Sequence, residues 1–111
     1  MDQKKDFFKD VFQVVELIPE GRVTSYGAIA SYLGSKRSSR LVGWALNGSH
    51  KSPGKIPAHR VVNRFGMLSG KMHFPTPTDM EEKLKTEGHQ IVDNQIVDFK
   101  NTFWDPSVEL G

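Results

Sequence analysis

No cysteine occurs among the 111 residues. That absence excludes a disulfide framework, a Cys-ligated zinc or iron-sulfur site and any thiol nucleophile, and it leaves the redox compartment open. Apolar runs long enough to span a membrane are also missing. The opening Met1-Asp2-Gln3-Lys4-Lys5-Asp6 leads into an amphipathic stretch with no apolar signal core, so the reading is of a soluble intracellular protein with no membrane partner. A third absence is local: residues 21–78 contain no Asp or Glu, yet they hold nine Lys or Arg. These are Arg22, Lys36, Arg37, Arg40, Lys51, Lys55, Arg60, Arg64 and Lys71, interleaved with Tyr26, Tyr32, Trp44 and Phe65. The flanks carry the opposite sign. Residues 1–20 have three Lys and five acids, and residues 79–111 have three Lys and eight acids, so a formal charge of +2 conceals a strong segregation. A middle stretch with no carboxylate to neutralise it gives a positive field suited to a phosphate backbone. A solvated basic surface without a partner is the plainer alternative.

A chain of this length is one ordinary domain, spanning residues 1–111, that buries roughly two-thirds of its unfolded surface and folds without metal or disulfide staples. No repeat, low-complexity tract or linker divides it. Phe8, Val11, Phe12, Val15 and Ile18 recur at spacings of three and four, which predicts a helix over residues 5–18 that ends at Pro19-Glu20-Gly21. Arg22-Val23-Thr24 is short and extended, and Ser25 is the expected N-cap of a second helix from Tyr26 to Leu33. A turn at Ser35-Lys36-Arg37 then leads to a third helix from about Arg40 to Asn47, capped by Ser38 or Ser39. Two short helices joined in this way read as a helix-turn-helix unit, with Gly43, Ala45 and Gly48 giving the second a low profile and Arg40 near its start. A plain helical hairpin fits the same periodicity.

Residues 48–57 are a loop by composition. The stretches 58–63 and 67–69 flank the turn Arg64-Phe65-Gly66, which suggests a short hairpin or wing. A helix over 79–88 follows, capped by Thr78 or Asp79. The near-repeat Gln90-Ile91-Val92-Asp93 and Gln95-Ile96-Val97-Asp98 predicts a small two-stranded turn, and Phe103, Trp104 and Pro106 are expected to pack down on the domain. The fold class is thus mainly α, a winged helix-turn-helix three-helix bundle with a small β wing.

Three segments decide the chemistry. Gly21-Arg22-Val23-Thr24-Ser25-Tyr26-Gly27-Ala28-Ile29-Ala30, Ser39-Arg40-Leu41-Val42-Gly43 and Ile56-Pro57-Ala58-His59-Arg60-Val61-Val62 resemble the DNA-binding domain of the O6-alkylguanine-DNA alkyltransferases. The order and spacings match from about residue 7 to Gly88. Those enzymes carry Pro-Cys-His-Arg-Val where this chain has Pro57-Ala58-His59-Arg60-Val61, so alanine stands at the nucleophile position. With the Trp104-Asp105-Pro106 ending, the chain is most similar to the alkyltransferase-like proteins, which bind alkylated guanine without repairing it.

Alkyl transfer from guanine O6 needs a thiolate activated by a neighbouring base, and Ala58 offers only a methyl group. His59 and Glu87, which a Cys-His-Glu relay would use, have nothing to activate. The resemblance implies no catalysis and no cofactor. It implies a sensor that binds duplex DNA in the minor groove, flips O6-alkylguanine out of the stack and flags it for nucleotide excision repair, acting as a monomer in a bacterial cytoplasm, nucleoid-bound, or in a nucleus. It further implies that Tyr26 crowds the 3′ phosphate, that Arg40 fills the vacated stack, that Ala58 floors the pocket and that Lys71 borders the base. His59 and Arg60 are expected to organise the turn by hydrogen bonds. On the residues alone, Tyr26 is equally a core tyrosine, Arg40 and Lys71 surface cations, and Ala58 a small residue in a tight turn. His50, His73 and His89 lack metal-ligand spacing, so no metal is expected. Two alternatives stand beside this reading. One is a Cys-to-Ala variant of a true alkyltransferase, against which the sequence after Gly70 lacks the Gly-Tyr-x-Gly-Gly pattern. The other is a helix-turn-helix transcription regulator, which has no need of the Pro57–Arg60 turn.

Overall fold

Helix α1 (Gln3–Glu16) buries Val11, Val14 and Val15, and Ile18 just beyond its end completes the same stripe. The computed structural model describes residues 3–34, 39–49 and 56–111. The backbone then reverses at Pro19 and runs through strand β1 (Thr24–Ser25) into α2 (Tyr26–Tyr32). Ser25 caps α2 as its sequence position predicts, its Oγ accepting from the Ala28 N–H at 3.1 Å. Helix α3 (Ser39–Ser49) packs against both α1 and α2. Ile29 and Ala30 of α2 and Val42, Ala45 and Leu46 of α3 join the α1 stripe in one apolar cluster, to which Ala58 and Trp104 also belong. The α2–α3 turn at 35–38, with its expected Ser38 cap, and most of the expected loop at 48–57 lie outside the described residues.

Ala58–Arg60 form a single 3-10 turn that feeds strand β2 (Val61–Val62). Strand β2 pairs in parallel with β1, Thr24 opposite Val61 and Ser25 opposite Val62, and all four residues are buried. The hairpin expected between 58–63 and 67–69 is reduced to its turn, where the Asn63 N–H donates to the Met67 carbonyl at 3.1 Å, while β2 takes β1 as its strand partner. A strand buried on both faces must have its backbone groups paired inside the protein, and β1 supplies the partner. The chain beyond it is turned by Asn63, whose Oδ1 accepts from the N–H groups of Phe65 and Met67, both at 2.9 Å. Met67 is thereby delivered to a different strand: β3 (Ile91–Val92) and β4 (Gln95–Ile96) form an antiparallel hairpin, and Met67 bridges Gln95 across its edge. Asp93 and Asn94 at its tip both have positive φ, the conformation that a two-residue hairpin demands. The small wing is therefore this hairpin plus Met67.

A second turn, Lys71–His73, precedes α4 (Asp79–Thr86), whose Met80 and Leu84 pack with Val23, Val62, Leu68 and Ile96 in a second apolar cluster. Phe74 touches both clusters. The tail, α5 (Phe99–Thr102) and α6 (Pro106–Glu109), returns to the strand before α2. The Val23 N–H donates to the Thr102 carbonyl at 3.0 Å and the Trp104 N–H to the Val23 carbonyl at 2.7 Å. Arg22 adds Nε to the Thr102 carbonyl at 3.0 Å and Nη2 to the Phe103 carbonyl at 2.6 Å. The expected packing of Phe103, Trp104 and Pro106 is thus realised through β1, with Trp104 and Pro106 buried.

Tail and turn are locked together at Gly66. Its φ is +79°, and a Cβ there would lie 2.8 Å from Cγ of Phe99. We expect Gly66→Ala to destabilise the fold by about 1–3 kcal/mol, from left-handed backbone strain plus displacement of the Phe99 ring. The check is a lowered urea midpoint at unchanged slope.

Candidate nucleic-acid interface

Tyr26 is the first residue of α2, so the Ser25 cap that starts the helix also fixes where the ring leaves the backbone. The ring is half-buried, and its hydroxyl abuts Gly70, where a Cβ would come within 2.6 Å of the oxygen. Burial raises the phenol above its usual range, against a weaker opposing hydrogen bond with Ser69. The ring forms one wall of a cleft of about 230 Å³ lined also by Ser39, Gly43, Asn47, Ser69, Gly70 and His73. Ser39, Gly43 and Asn47 recur every four residues and so form one face of α3. A Cβ at Gly43 would meet nothing within 4 Å, which keeps that face low.

Arg40 is exposed and lies at three- and seven-residue spacing from Gly43 and Asn47, on the edge of this face. Lys71 is half-buried and begins the turn that supplies His73 to the cleft. Ala58 is 6% exposed, packs in the apolar cluster below α1–α3 and is not among the residues that line the cleft. Tyr26 and the Ser69-Gly70 turn are therefore brought together, with Arg40 at the margin, while Ala58, His59 and Arg60 form a separate group. The sequence assigned no binding role to Ser39, Asn47, Ser69 or His73. The four-residue spacing along α3 was a usable signal for the first two; the others depend on a distant turn.

The Ala58–Arg60 group is organised by one carboxylate. His59 Nε2 lies 2.8 Å from Glu87 Oε2; Arg60 donates from Nη2 to the same oxygen at 2.7 Å and from Nε to Oε1 at 3.0 Å. Arg60 Nη1 donates to the Ile18 carbonyl at 2.9 Å, tying in the end of α1. Burial alone would raise the Glu87 carboxyl. The hydrogen bonds from Arg60 and His59 outweigh it and hold the group at about 2. An ionised Glu87 is an acceptor only, so His59 carries its proton on Nε2. Burial pushes the imidazole below its usual range, partly opposed by Glu87, and His89, buried with Nε2 unpartnered, is pushed the same way.

These partners revise the charge map. Arg22 is committed to two tail carbonyls and Arg60 to Glu87, a residue from the acidic flank. Among the described residues, Arg60 is thus the one Lys or Arg of 21–78 paired with a carboxylate; Arg40, Arg64 and Lys71 are not, and Arg22 is held by carbonyls. His59 and Glu87 border a second cleft with Glu20, Asp79, Glu82 and Lys83, whose predominantly acidic lining disfavours a phosphate backbone.

The protonation states predict an acid-labile fold. Histidines with lowered folded pKa give stability that is complete above about 6.5 and lost as pH falls below it. Glu87 gives stability present above 4.5 and lost as pH falls toward about 2. Urea midpoints should therefore drop in two stages on acidification. Glu87→Gln should be less stable at neutral pH and should flatten the lower stage while leaving the His89 contribution to the upper one.

Comparison with known proteins places this architecture. The family model described as "6-O-methylguanine DNA methyltransferase, DNA binding domain" matches residues 6–89. The DNA base-flipping protein of Escherichia coli is 35% identical over 104 residues, covering 94% of this chain and 78% of that protein. Alkyltransferase-like protein 1 of Schizosaccharomyces pombe is 32% identical over 95 residues, covering 86% of this chain and 87% of that one. A crystal structure of S. pombe Atl1 in complex with damaged DNA containing O6-carboxymethylguanine superposes with a TM-score of 0.80 at 28% identity, over 96% of this chain and 100% of that one. On that match and these relatives, the chain belongs to the family of the 6-O-methylguanine DNA methyltransferase DNA-binding domain, among its alkyltransferase-like members.

Proposed function

We propose that the chain is a DNA damage sensor that performs no chemistry. It binds duplex DNA through the minor groove, takes an O6-alkylated guanine out of the stack and holds it unrepaired. The observation that carries this reading is the relay without its nucleophile. Glu87 orients His59 at 2.8 Å, and the neighbouring residue, at the position where the alkyltransferases carry their acceptor cysteine, is Ala58 in a chain with no cysteine. A soft displacement at carbon cannot proceed there.

Flipping costs a few kcal/mol, less where the base pair is already weakened, so the lesion lowers the cost of its own detection. In this reading Tyr26 presses on the 3′ phosphate, Arg40 occupies the gap left in the stack, Ala58 leaves room for the adduct and Lys71 borders the extruded base. His59 and Arg60 act through the fold of the turn. The relatives support the reading by what they are: a base-flipping protein, and an alkyltransferase-like protein seen on damaged DNA. Because nothing is removed from the base, the benefit of binding lies in persistence. A bent, flipped-out complex is a substrate for nucleotide excision repair proteins, and a monomer on the DNA suffices to mark the site.

Titration at one fixed salt concentration against duplexes differing by a single O6-methylguanine tests the proposal. The modified duplex should bind more tightly and return from the complex with its methyl group intact by mass spectrometry. Equal affinities would identify a sequence regulator or a non-specific binder instead, and a demethylated base would identify an enzyme. Arg40→Ala should weaken binding to the modified duplex by about 1–3 kcal/mol, with the exposed Lys9→Ala as a near-neutral control.

A further inference from the structure

A third cleft, of about 360 Å³, is lined by Ser25, Arg64, Phe99, Lys100 and Phe103. Three of its five lining residues come from the tail, beyond the residues 6–89 that the family model matches. We propose that this cleft is a phosphate-backbone clamp, in which Arg64 and Lys100 hold the DNA strand that flanks the base at Tyr26. The proposal rests on the DNA-binding reading above and extends it to a surface that the family domain alone does not supply.

The cleft is held in shape from several sides. Phe99 and Phe103 meet edge to face, with centroids 5.5 Å apart at 70°, and form its apolar floor. The Phe99 ring presses on Gly66, the residue that ends the turn carrying Arg64. The Phe103 carbonyl is gripped by Arg22, and Val23 bridges Phe103 just before Ser25. Arg64 is oriented as well, its guanidinium lying 4.7 Å from the centroid of the Phe65 ring. A cation whose direction is already set loses less freedom when it takes a ligand.

Charge and position select the occupant. No carboxylate lines the cleft, and neither Arg64 nor Lys100 has a carboxylate partner among the described residues. The nearby Asp98 accepts from Asn101 Nδ2 at 2.7 Å. Ser25 lines this cleft and Tyr26 lines the other, so the two begin at consecutive residues whose Cα atoms are about 3.8 Å apart. A DNA strand advances about 3.4 Å per charge. Consecutive residues thus border both clefts, and in the proposed clamp the strand whose base sits at Tyr26 carries a neighbouring phosphate to Arg64 and Lys100. An acidic peptide would satisfy the same cations, but nothing ties such a peptide to the Tyr26 cleft.

The test is the salt dependence of binding, read by anisotropy of fluorescein-labelled duplexes with and without one O6-methylguanine. For Arg64→Ala and Lys100→Ala, each a change at an exposed cation, log Kd against log salt should lose about 0.9 in slope. Affinity near 0.1 M salt should fall about eightfold, equally on both duplexes. Lys100→Arg should restore the slope, and Lys85→Ala, a residue that pairs with Glu81 on α4, should leave it unchanged. Unchanged slopes for Arg64→Ala and Lys100→Ala overturn the clamp even where the wild-type protein prefers the lesion. A loss confined to the modified duplex at constant slope also overturns it, because a phosphate contact does not read the base. A wild-type protein without lesion preference defeats the sensor reading alone, and the slopes still decide the clamp. Binding of a labelled Glu-Glu-Phe-Glu-Glu peptide, abolished in the double variant while the duplex slopes stay constant, would reassign the cleft to an acidic partner.

Discussion

The Glu87 carboxylate holds the rest in place. It receives Arg60 on both oxygens and His59 on one, and Arg60 reaches on to the Ile18 carbonyl, so one anion joins α4, the Ala58–Arg60 turn and the end of α1. That turn delivers β2 to β1, and β1 ends at the residue that caps α2. The position of Tyr26 is thus inherited from an ion cluster whose side chains are only 10–16% exposed. Removing one partner from such a pair costs roughly 3–5 kcal/mol, because the charge left behind is neither solvated nor matched.

The same cluster redistributes charge in a way that counts of residues miss. By sequence the middle of the chain is uniformly positive. In the fold the described cations among them divide into those turned inward to carbonyls and to Glu87 and those without a carboxylate partner. Arg22 donates to carbonyls rather than carboxylates, keeping its charge while losing its availability. The tail, acidic in composition, brings Lys100 to the side of β1 where Arg64 stands. Sign segregation along a sequence is therefore a guide to whether a polyanion is bound, and a poor guide to where.

Much of the scaffold was legible because its signals are local. The stripe from Val11 to Ile18, the Ser25 cap, the Asp93-Asn94 tip and the burial of Trp104 all follow from spacing or turn chemistry within a few residues. The parallel β1–β2 pair was not, since two-residue strands have no period to detect and their partners lie 37 residues apart. Without that pairing, Val61-Val62 looked like one arm of a hairpin with Met67-Leu68, although Asn63 turns the chain away toward β4. The Tyr26 cleft was half legible: Gly43, expected on the low face of α3, lines it with Ser39 and Asn47 at four-residue spacing, whereas Ala45, expected on the same face, is buried in the core. The approach of Gly70 to the tyrosine hydroxyl depends on the packing of both apolar clusters and leaves no mark on local sequence.

The proposed absence of chemistry turns on one position beside the ion cluster. His59 and Glu87 form two-thirds of a relay, and their presence would ordinarily argue for catalysis. In this fold the pair is already required by packing: Glu87 must be ionised to satisfy Arg60, Arg60 must reach Ile18, and His59 supplies the remaining donor to a carboxylate with little access to water. In this fold the histidine and glutamate have a structural role whether or not a thiol stands beside them. The informative position is the one that the cluster does not use. The side chain of Ala58 bonds to nothing in this network, so under the proposed sensor reading an alanine there leaves the ion cluster intact and offers no thiol to accept an alkyl group. Under the proposed reading, a fold that keeps its supporting ions apart from the acceptor position can lack the reaction and still keep the surface that finds the lesion.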